Sequence, residues 1–200
     1  MKKVALITTA AAALAATPVL AKDTEAYAGP IFGWDHVRIS TDGGSDSRDG
    51  FVYGGVIGVQ TKIGGAGVVG LEGEITGSSA KERVEFTDGT FMELKAGRDL
   101  FIGARAGVMV TETTQLYAKA GYTNARFTYR EGVIDGVSAS IGNNFGGYRI
   151  GAGVEQTVSE RIRLRGEYRF SDYGNLTYAG YDLGASGQRH QILVGATYAF

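Results

Sequence analysis

Apolar residues alternate with polar or charged residues in eight segments of the chain, each about ten residues long. In the last segment the apolar positions are Ile192, Val194, Ala196, Tyr198 and Phe200. A repeat of two residues places such side chains on one face of a β-strand. About ten residues is also the length with which a tilted strand crosses a lipid bilayer. The pattern therefore predicts eight β-strands of membrane-spanning length.

The two faces of these predicted strands differ in charge. No charged residue falls on the other seven apolar faces, which take alternate positions of segments 26–34, 51–59, 69–75, 100–108, 116–122, 148–154 and 162–170. Charges lie on the opposite parity, at Lys62, Glu72, Glu74, Asp99, Arg105, Lys119, Arg149, Glu155, Arg163, Arg165, Glu167 and Arg169. A soluble barrel, with the apolar face inside and the charged face in water, would explain the pattern of any one strand. It fails over all eight strands, because the core of such a barrel would consist mostly of Ala and Gly. Lipid outside and a polar lumen inside explain both faces together.

The connections between these segments alternate between short and long. Short ones fall at 64–67, 111–115 and 159–161, and long ones at 36–50, 78–91, 128–145 and 174–188. We therefore predict an all-β fold, an eight-stranded, antiparallel, up-and-down transmembrane β-barrel. In bacterial outer-membrane barrels the short turns are periplasmic and the longer loops lie outside the cell.

The first residues have the composition of a secretory leader. Lys2 and Lys3 precede an apolar stretch over 4–16, and Ala21 ends a Val-Leu-Ala sequence of the kind that signal peptidase cleaves. We expect residues 1–21 to be a cleaved signal peptide and 22–200 to form a single barrel domain, with a weaker cleavage site after Ala28. The absence of Cys excludes disulfide bonds and a lipoprotein anchor. The net charge of −1 argues against a nucleic-acid partner.

Eight strands enclose a lumen narrow enough for side chains to fill. We predict a packed polar interior whose charge network comprises Glu72, Glu74, Arg105, Lys119, Glu155, Arg165, Glu167 and Arg169. Glu72 and Glu74 would then belong to structural ion pairs and not to a catalytic carboxylate dyad. The alternative is a narrow porin-like channel for ions or small solutes. Gaps for it could arise at the inward glycines Gly54, Gly58, Gly97, Gly103, Gly107, Gly121 and Gly151.

Three stretches carry a family resemblance: Gly153-Val-Glu155, Arg165-Gly-Glu-Tyr-Arg-Phe-Ser-Asp-Tyr-Gly174 and Tyr198-Ala-Phe200. They resemble the small eight-stranded outer-membrane β-barrel proteins of proteobacteria, the opacity-protein and OmpA/OmpX-like group. The resemblance implies a place in the outer membrane of a Gram-negative bacterium, among lipid and lipopolysaccharide. It also implies that the barrel-assembly machinery reads the C-terminal strand, through Ile192, Val194, Tyr198 and Phe200. Because the chain ends at this strand, no periplasmic peptidoglycan-binding domain is expected.

Other residues that could carry chemistry do not complete a motif. The glycines of 65–70 have the spacing of a dinucleotide-binding loop, but a strand and not a helix is predicted to follow. The acids of 42–49 lack the spacing of an EF-hand, which leaves only a loose surface cation site open. His36 and His190 are the two imidazoles of the chain, and Ile192 stands where a lipid-deacylating barrel would have the Ser of a His-x-Ser pair.

No catalytic, cofactor or metal site is therefore predicted, and a lipid-modifying barrel enzyme is a remote alternative. We expect a monomeric, non-enzymatic outer-membrane protein without a cofactor. Its surface loops would serve envelope integrity, adhesion or another interaction with a host or surface ligand.

Overall fold

The computed structural model describes residues 23–41, 44–133, 136–178 and 181–200, and the predicted signal peptide, residues 1–21, lies outside them. The strands are β1 (Thr24–Thr41), β2 (Gly44–Ile63), β3 (Gly67–Ser78), β4 (Lys81–Glu85), β5 (Thr90–Met109), β6 (Thr114–Val133), β7 (Ser138–Thr157), β8 (Ile162–Tyr178) and β9 (Tyr181–Ala199). No helix among the described residues is long and apolar enough to cross a membrane.

The strands form one closed antiparallel ring. Sequential neighbours pair from β1 to β3 and from β5 to β9, while β9 pairs with β1 and β3 pairs with β5. The short strand β4 pairs with β5 beyond the end of β3, so that β3 and β4 together occupy one position in the ring. The ring is therefore an eight-stranded up-and-down barrel, and the predicted fold class is confirmed.

The barrel closes where β1 meets β9 along most of its length. Two glycines of β1 are required for this close approach. A Cβ atom at Gly29 would collide with the carbonyl oxygen of Ala196, and one at Gly33 would collide with that of Ile192. The seam between the first and last strands therefore depends on positions that carry no side chain.

Side chains alternate between the outside and the lumen along every spanning strand. All eight apolar faces predicted from the sequence point outward; for example, Ile102 is 68% exposed and Val194 is 62% exposed. Residues of the opposite parity point inward, and Glu72 is only 1% exposed. A bulge in β5 between Ala96 and Asp99 reverses the parity, so that both residues face the interior.

Tight turns connect the strands at the periplasmic end, over 64–66, 110–113 and 158–161. These are the three short connections that the sequence predicts. Gly64 has a φ of 60°, in the left-handed region that glycine adopts without a steric penalty.

At the extracellular end, the prediction of long loops is wrong, because most of these residues form paired strands. β1 and β2 remain paired as far as Thr41 and Gly44, and β6 and β7 as far as Gly132 and Ser138. Outside the bilayer both faces of a hairpin contact water. Pairing can therefore continue without the apolar–polar alternation that reveals a strand in a sequence. The barrel projects beyond the membrane as β-sheet.

Candidate functional site

The lumen contains the most concentrated charge of the described part of the chain. Twelve charged side chains are buried there, six acidic and six basic: Asp35, Glu72, Glu74, Asp99, Glu155 and Glu167 with Arg105, Lys119, Arg149, Arg165, Arg169 and Arg189. The eight residues of the charge network drawn from the sequence are all among them. Because the two signs are equal in number, these buried groups carry no net charge when all are ionised.

Lys119 of β6 lies at the centre of the network. Its Nζ is 2.8 Å from Glu72 Oε1, 2.5 Å from Glu74 Oε1 and 2.7 Å from Glu167 Oε1. One oxygen of each carboxylate lies within 4.8 Å of the others, which is a spacing that could hold a metal ion. The Lys119 ammonium lies between these oxygens and donates to Glu72 and Glu74, so a cationic side chain already occupies that position.

The periplasmic half of the network combines guanidinium groups with tyrosine hydroxyls. Arg165 Nη2 lies 3.0 Å from both Glu72 Oε2 and Glu167 Oε2. The hydroxyl of Tyr117 donates to Glu167 Oε2 at 2.7 Å and accepts a hydrogen bond from Arg165. The Arg105 guanidinium lies 3.8 Å from the centre of the Tyr117 ring, a cation–π contact in a desolvated setting. These contacts tie strands β3, β5, β6 and β8 together across the lumen.

The extracellular half of the network is a chain of arginines and acids. Arg149 joins Glu74 and Asp99, at 3.2 and 2.5 Å. Arg189 joins Asp99 and Asp35, with Nη1 at 3.0 Å from Asp99 Oδ2 and Nη2 at 2.5 Å from Asp35 Oδ2. Its Nε also donates to Asp35 Oδ1 at 3.1 Å, which makes the Asp35 contact bidentate. The remaining member, Arg169, pairs with Glu74 Oε2 at 2.5 Å.

An apolar cluster lies above the charges, at the extracellular end of the lumen. Its buried members are Val37, Ala80, Ala96, Ala125, Phe127 and Tyr173, with Phe145 packed against them. The hydroxyl of Tyr173 donates to Asp99 Oδ2 at 2.9 Å and so joins the cluster to the charge network. Polar and apolar side chains therefore fill successive layers of the interior.

The periplasmic end of the lumen is open and forms a cavity of about 350 Å³. Glu25 lies on its wall, paired with Arg163 at 2.5 Å and hydrogen-bonded to Gln60 at 2.7 Å. Lys62, which the sequence also assigns to the inward face, is exposed at this mouth. The cavity reaches the network at Glu155, which pairs with Arg105 at 3.2 Å.

Four charged members of the network are missing from the set predicted on sequence. Asp99 and Arg149 have the predicted inward parity but were not assigned ion-pair partners. Asp35 and Arg189 lie at the edges of segments read as loops. The two-residue repeat could have revealed both. Asp35 lies an even number of positions after the inward-facing Tyr27, and Arg189 lies two positions before the inward-facing Gln191.

Both histidines lie on the outer surface of the barrel. His36 of β1 and His190 of β9 are register partners, and their ring centres are 6.4 Å apart. His36 Nδ1 lies 2.7 Å from an Asp49 carboxylate oxygen, and His190 Nδ1 lies 2.8 Å from the Tyr168 hydroxyl. Aromatic rings flank the pair: Trp34 stacks on His36 and Phe170 packs against His190, at centre distances of 5.5 and 4.9 Å.

The remaining motifs of the sequence occupy surface positions. Of the glycines in 65–70, Gly65 lies in the turn and Gly67 and Gly70 lie in β3, so no helix N-terminus is present there to bind a phosphate. Of the three acids in 42–49, Asp42 lies outside the described ranges, Asp46 pairs with Arg48 at 2.8 Å, and Asp49 contacts His36.

The outward face of β9 carries the residues assigned to an assembly signal. Ile192, Val194, Tyr198 and Phe200 are between 41% and 62% exposed and face the lipid side. At the periplasmic boundary the Tyr198 and Phe200 rings lie 5.3 Å apart, and the Arg161 guanidinium donates to the Tyr198 hydroxyl at 2.8 Å. This is the position at which barrels carry their interfacial aromatic residues.

Comparison with known sequences assigns the chain to a family. The sequence model of the outer membrane protein beta-barrel domain family matches residues 5–200. The chain belongs to this family. Among its relatives, the 25 kDa outer-membrane immunogenic protein of Brucella abortus is 30% identical over 174 residues, which cover 84% of this chain and 74% of that protein. The Brucella melitensis protein of the same description is 30% identical over 177 residues, with the same shares covered.

Solved structures of similar shape are also outer-membrane barrels. Neisserial surface protein A superposes with a TM-score of 0.55 at 15% identity, over 88% of this chain and 97% of that one. Ail of Yersinia pestis superposes with a TM-score of 0.52 at 14% identity, over 88% of this chain and 99% of that one. This member of the family is therefore an outer-membrane β-barrel protein of a Gram-negative bacterium, surrounded by lipid and lipopolysaccharide.

Proposed function

We propose that the protein is a non-enzymatic, monomeric outer-membrane platform with a closed lumen, whose projecting hairpins serve envelope integrity, adhesion or another surface interaction. The observation that carries this proposal is the balance of six buried acids by six buried bases within the described lumen. A buried charge is costly unless it is paired and hydrogen-bonded. Ion pairs of this kind, made between strands across the lumen, support a role in stabilising the closed barrel.

The same contacts argue against a porin-like channel. The inward glycines are the places where the sequence predicts gaps, yet backbone or side-chain atoms of the neighbouring strands lie close to them. A Cβ atom at Gly151, for example, would lie 3.3 Å from Lys119 Cε and 3.3 Å from Arg169 Cβ. An ion crossing this layer would have to displace a paired charge, and the apolar cluster around Phe127 would still lie ahead of it.

Planar-bilayer conductance of the refolded protein tests the closed lumen. We expect no steady current from the wild type. Recovery of the wild type from the same lipid as a heat-modifiable, protease-resistant band shows that the protein is inserted, so that the absence of current is informative. Large, stable current steps from the wild type would refute the platform and favour the channel.

A non-catalytic role fits the surroundings of the histidines. The described hydroxyl next to His190 is the phenol of Tyr168, at 2.8 Å, and not the alcohol of a Ser nucleophile. Mass spectrometry of lipid A from cells that express the protein or its His190→Ala variant provides the test. Any acyl chain removed or added by the wild type alone would contradict the proposal.

We further propose that lipopolysaccharide phosphates bind one outward face of the extracellular hairpins. Lys81 and Lys95 are directly opposite each other on β4 and β5, and Arg98 and Arg126 are exposed nearby. Like charges opposite one another destabilise a sheet, and a bound phosphate would relieve the repulsion. Lipopolysaccharide should raise the melting temperature of the wild type more than that of Lys81→Gln/Lys95→Gln. Equal increases would contradict this contact.

The barrel-assembly machinery is the partner that we propose for β9. Phe200 is 56% exposed, so replacing it with Ala removes little buried area and should leave refolding in vitro unchanged. In cells the same variant should reach the outer membrane more slowly, whereas Phe200→Tyr should behave as the wild type. If Phe200→Ala assembled at the wild-type rate, the proposal that the assembly machinery recognises Phe200 would be wrong.

The description of one relative suggests a binding partner for the extracellular hairpins. The Brucella protein is described as immunogenic, and we propose that the paired hairpins of this chain are likewise the surface reached by antibodies or host ligands. Antibodies raised against the folded barrel should bind intact cells and be absorbed by a peptide hairpin covering β6 and β7. Binding only after the outer membrane is opened would contradict the proposal.

A further inference from the structure

The two histidines of the chain lie 154 positions apart in the sequence. The fold brings them together, with His36 on the first strand and His190 on the last. Directly opposed residues of neighbouring antiparallel strands have Cβ atoms about 4.5–5.5 Å apart. The ring centres are 6.4 Å apart, on the outward face beyond the apolar band. Both rings are partly accessible, so a small ligand can reach them from outside the cell.

Each imidazole has one nitrogen engaged and one available. The Nδ1 atom of His36 is held by the Asp49 carboxylate at 2.7 Å, and that of His190 by the Tyr168 hydroxyl at 2.8 Å. The Asp49 carboxylate accepts a hydrogen bond from Nδ1–H of His36, and the Tyr168 oxygen can accept one from Nδ1–H of His190; in these tautomers the lone pair of each neutral ring lies on Nε2. Histidines that bind metals through one nitrogen almost always use the other in such a bond.

We propose that His36 and His190 form a two-histidine site for a divalent transition metal ion, such as Cu²⁺ or Zn²⁺. Imidazole suits both ions. Bonds of about 2.0–2.1 Å from the ion to each Nε2 require the ring centres to move about 1 Å closer. This shift is a rotation of two side chains that are not fully packed. Water completes the coordination, while Asp49 stays bound to His36 Nδ1.

The position of the site gives the ion a structural effect. His36 belongs to β1 and His190 to β9, so a bound ion bridges the seam at which the barrel closes. An ion that binds only the closed barrel stabilises it according to its concentration relative to the dissociation constant. The expected consequence is a barrel that melts at a higher temperature in the presence of the metal.

The competing explanation is that the two rings are only part of the aromatic surface. Trp34 and Phe170 flank them, and interfacial aromatic residues are normal in barrels. Rings that serve only for packing would have no preference for a metal ion. Metal binding and its dependence on each histidine therefore separate the two explanations.

The experiment uses tag-free protein refolded in detergent, because a polyhistidine tag would bind the same ions. Electron paramagnetic resonance with one equivalent of Cu²⁺ should give the coupling pattern of two nitrogen ligands. The pattern should fall to one nitrogen or vanish in His36→Ala and in His190→Ala. Zn²⁺ should raise the melting temperature of the wild type and of neither variant.

Two carboxylate variants complete the test. Asp49→Asn loses the charged partner of His36 and should weaken Zn²⁺ binding about tenfold. Asp46→Asn, on the same strand but paired with Arg48, should bind as the wild type. Copper spectra that are the same in the wild type and both histidine variants would overturn the proposal, as would a wild-type barrel that shows no nitrogen coupling.

Discussion

Replacing Lys119 with Met tests whether the lumen depends on its central ammonium. Met has a similar length and no charge, so the change removes the cation without leaving a large cavity. Three carboxylates, those of Glu72, Glu74 and Glu167, then lose a partner 2.5–2.8 Å away while staying within 4.8 Å of one another. Breaking a buried ion pair from one side typically costs about 3–5 kcal/mol. Neighbouring arginines still bind these acids, so we expect a loss of that size and not three times as much.

Unfolding by urea in lipid vesicles measures this loss. Trp34 is the one tryptophan of the chain and faces lipid on β1, so its fluorescence reports whether the barrel is inserted. Lys95→Met is the matched control, because Lys95 is exposed and its removal relieves the repulsion from Lys81; stability should stay the same or rise by less than about 1 kcal/mol.

A double variant distinguishes charge from shape. In Lys119→Met/Glu167→Gln the described lumen again contains equal numbers of acids and bases, so part of the lost stability should return. Equal stability of Lys119→Met and Lys95→Met would refute the view that this network holds the barrel together. A double variant less stable than Lys119→Met by the full cost of Glu167→Gln would show that the two residues are not coupled.

Three further predictions concern the wall of the barrel. Val194→Arg places a charge on the lipid face and should destabilise the refolded barrel by about 2–4 kcal/mol, whereas Val194→Ile should be neutral in the same urea titration. Gly33→Val should prevent closure, seen as a loss of folded protein on unheated gels, because its side chain would collide with the Ile192 carbonyl; normal folding would contradict the seam described above. An epitope inserted in the turn 64–66 should be hidden on intact cells, and one inserted at Gly136 should be accessible; the reverse labelling would invert the topology.

The spanning part of the fold could be predicted because the bilayer imposes one rule on it. A residue such as Leu71 must face lipid and its neighbour Glu72 must not, so each strand reveals both of its faces. No knowledge of strand pairing is needed for that assignment. This is why all eight outward faces follow from parity alone.

This rule applies only within the bilayer. The errors of the prediction therefore lie in the extracellular segments, outside it. Beyond the apolar cluster that contains Val37 and Phe127, both faces of the hairpins contact water. Their sequence does not alternate there, so it predicts loops. The two-residue repeat also predicts which charged residues face the lumen, but not at which level along the barrel axis they lie. That Lys119 reaches both Glu72 and Glu74, or that Arg189 reaches Asp35, follows from the stagger of the strands, which the sequence does not show.

The ion pairs of the lumen join residues that are distant in the chain, and this has a consequence for biogenesis. Glu72 and Arg165 are 93 positions apart, and Asp35 and Arg189 are 154 apart. An incomplete barrel that lacks β8 and β9 would therefore hold several acids without their bases, in a lumen that needs water or a protein surface to receive them. Such an intermediate carries the cost of those unpaired charges until the last strand arrives. The network would thus disfavour release of an unfinished barrel into the membrane.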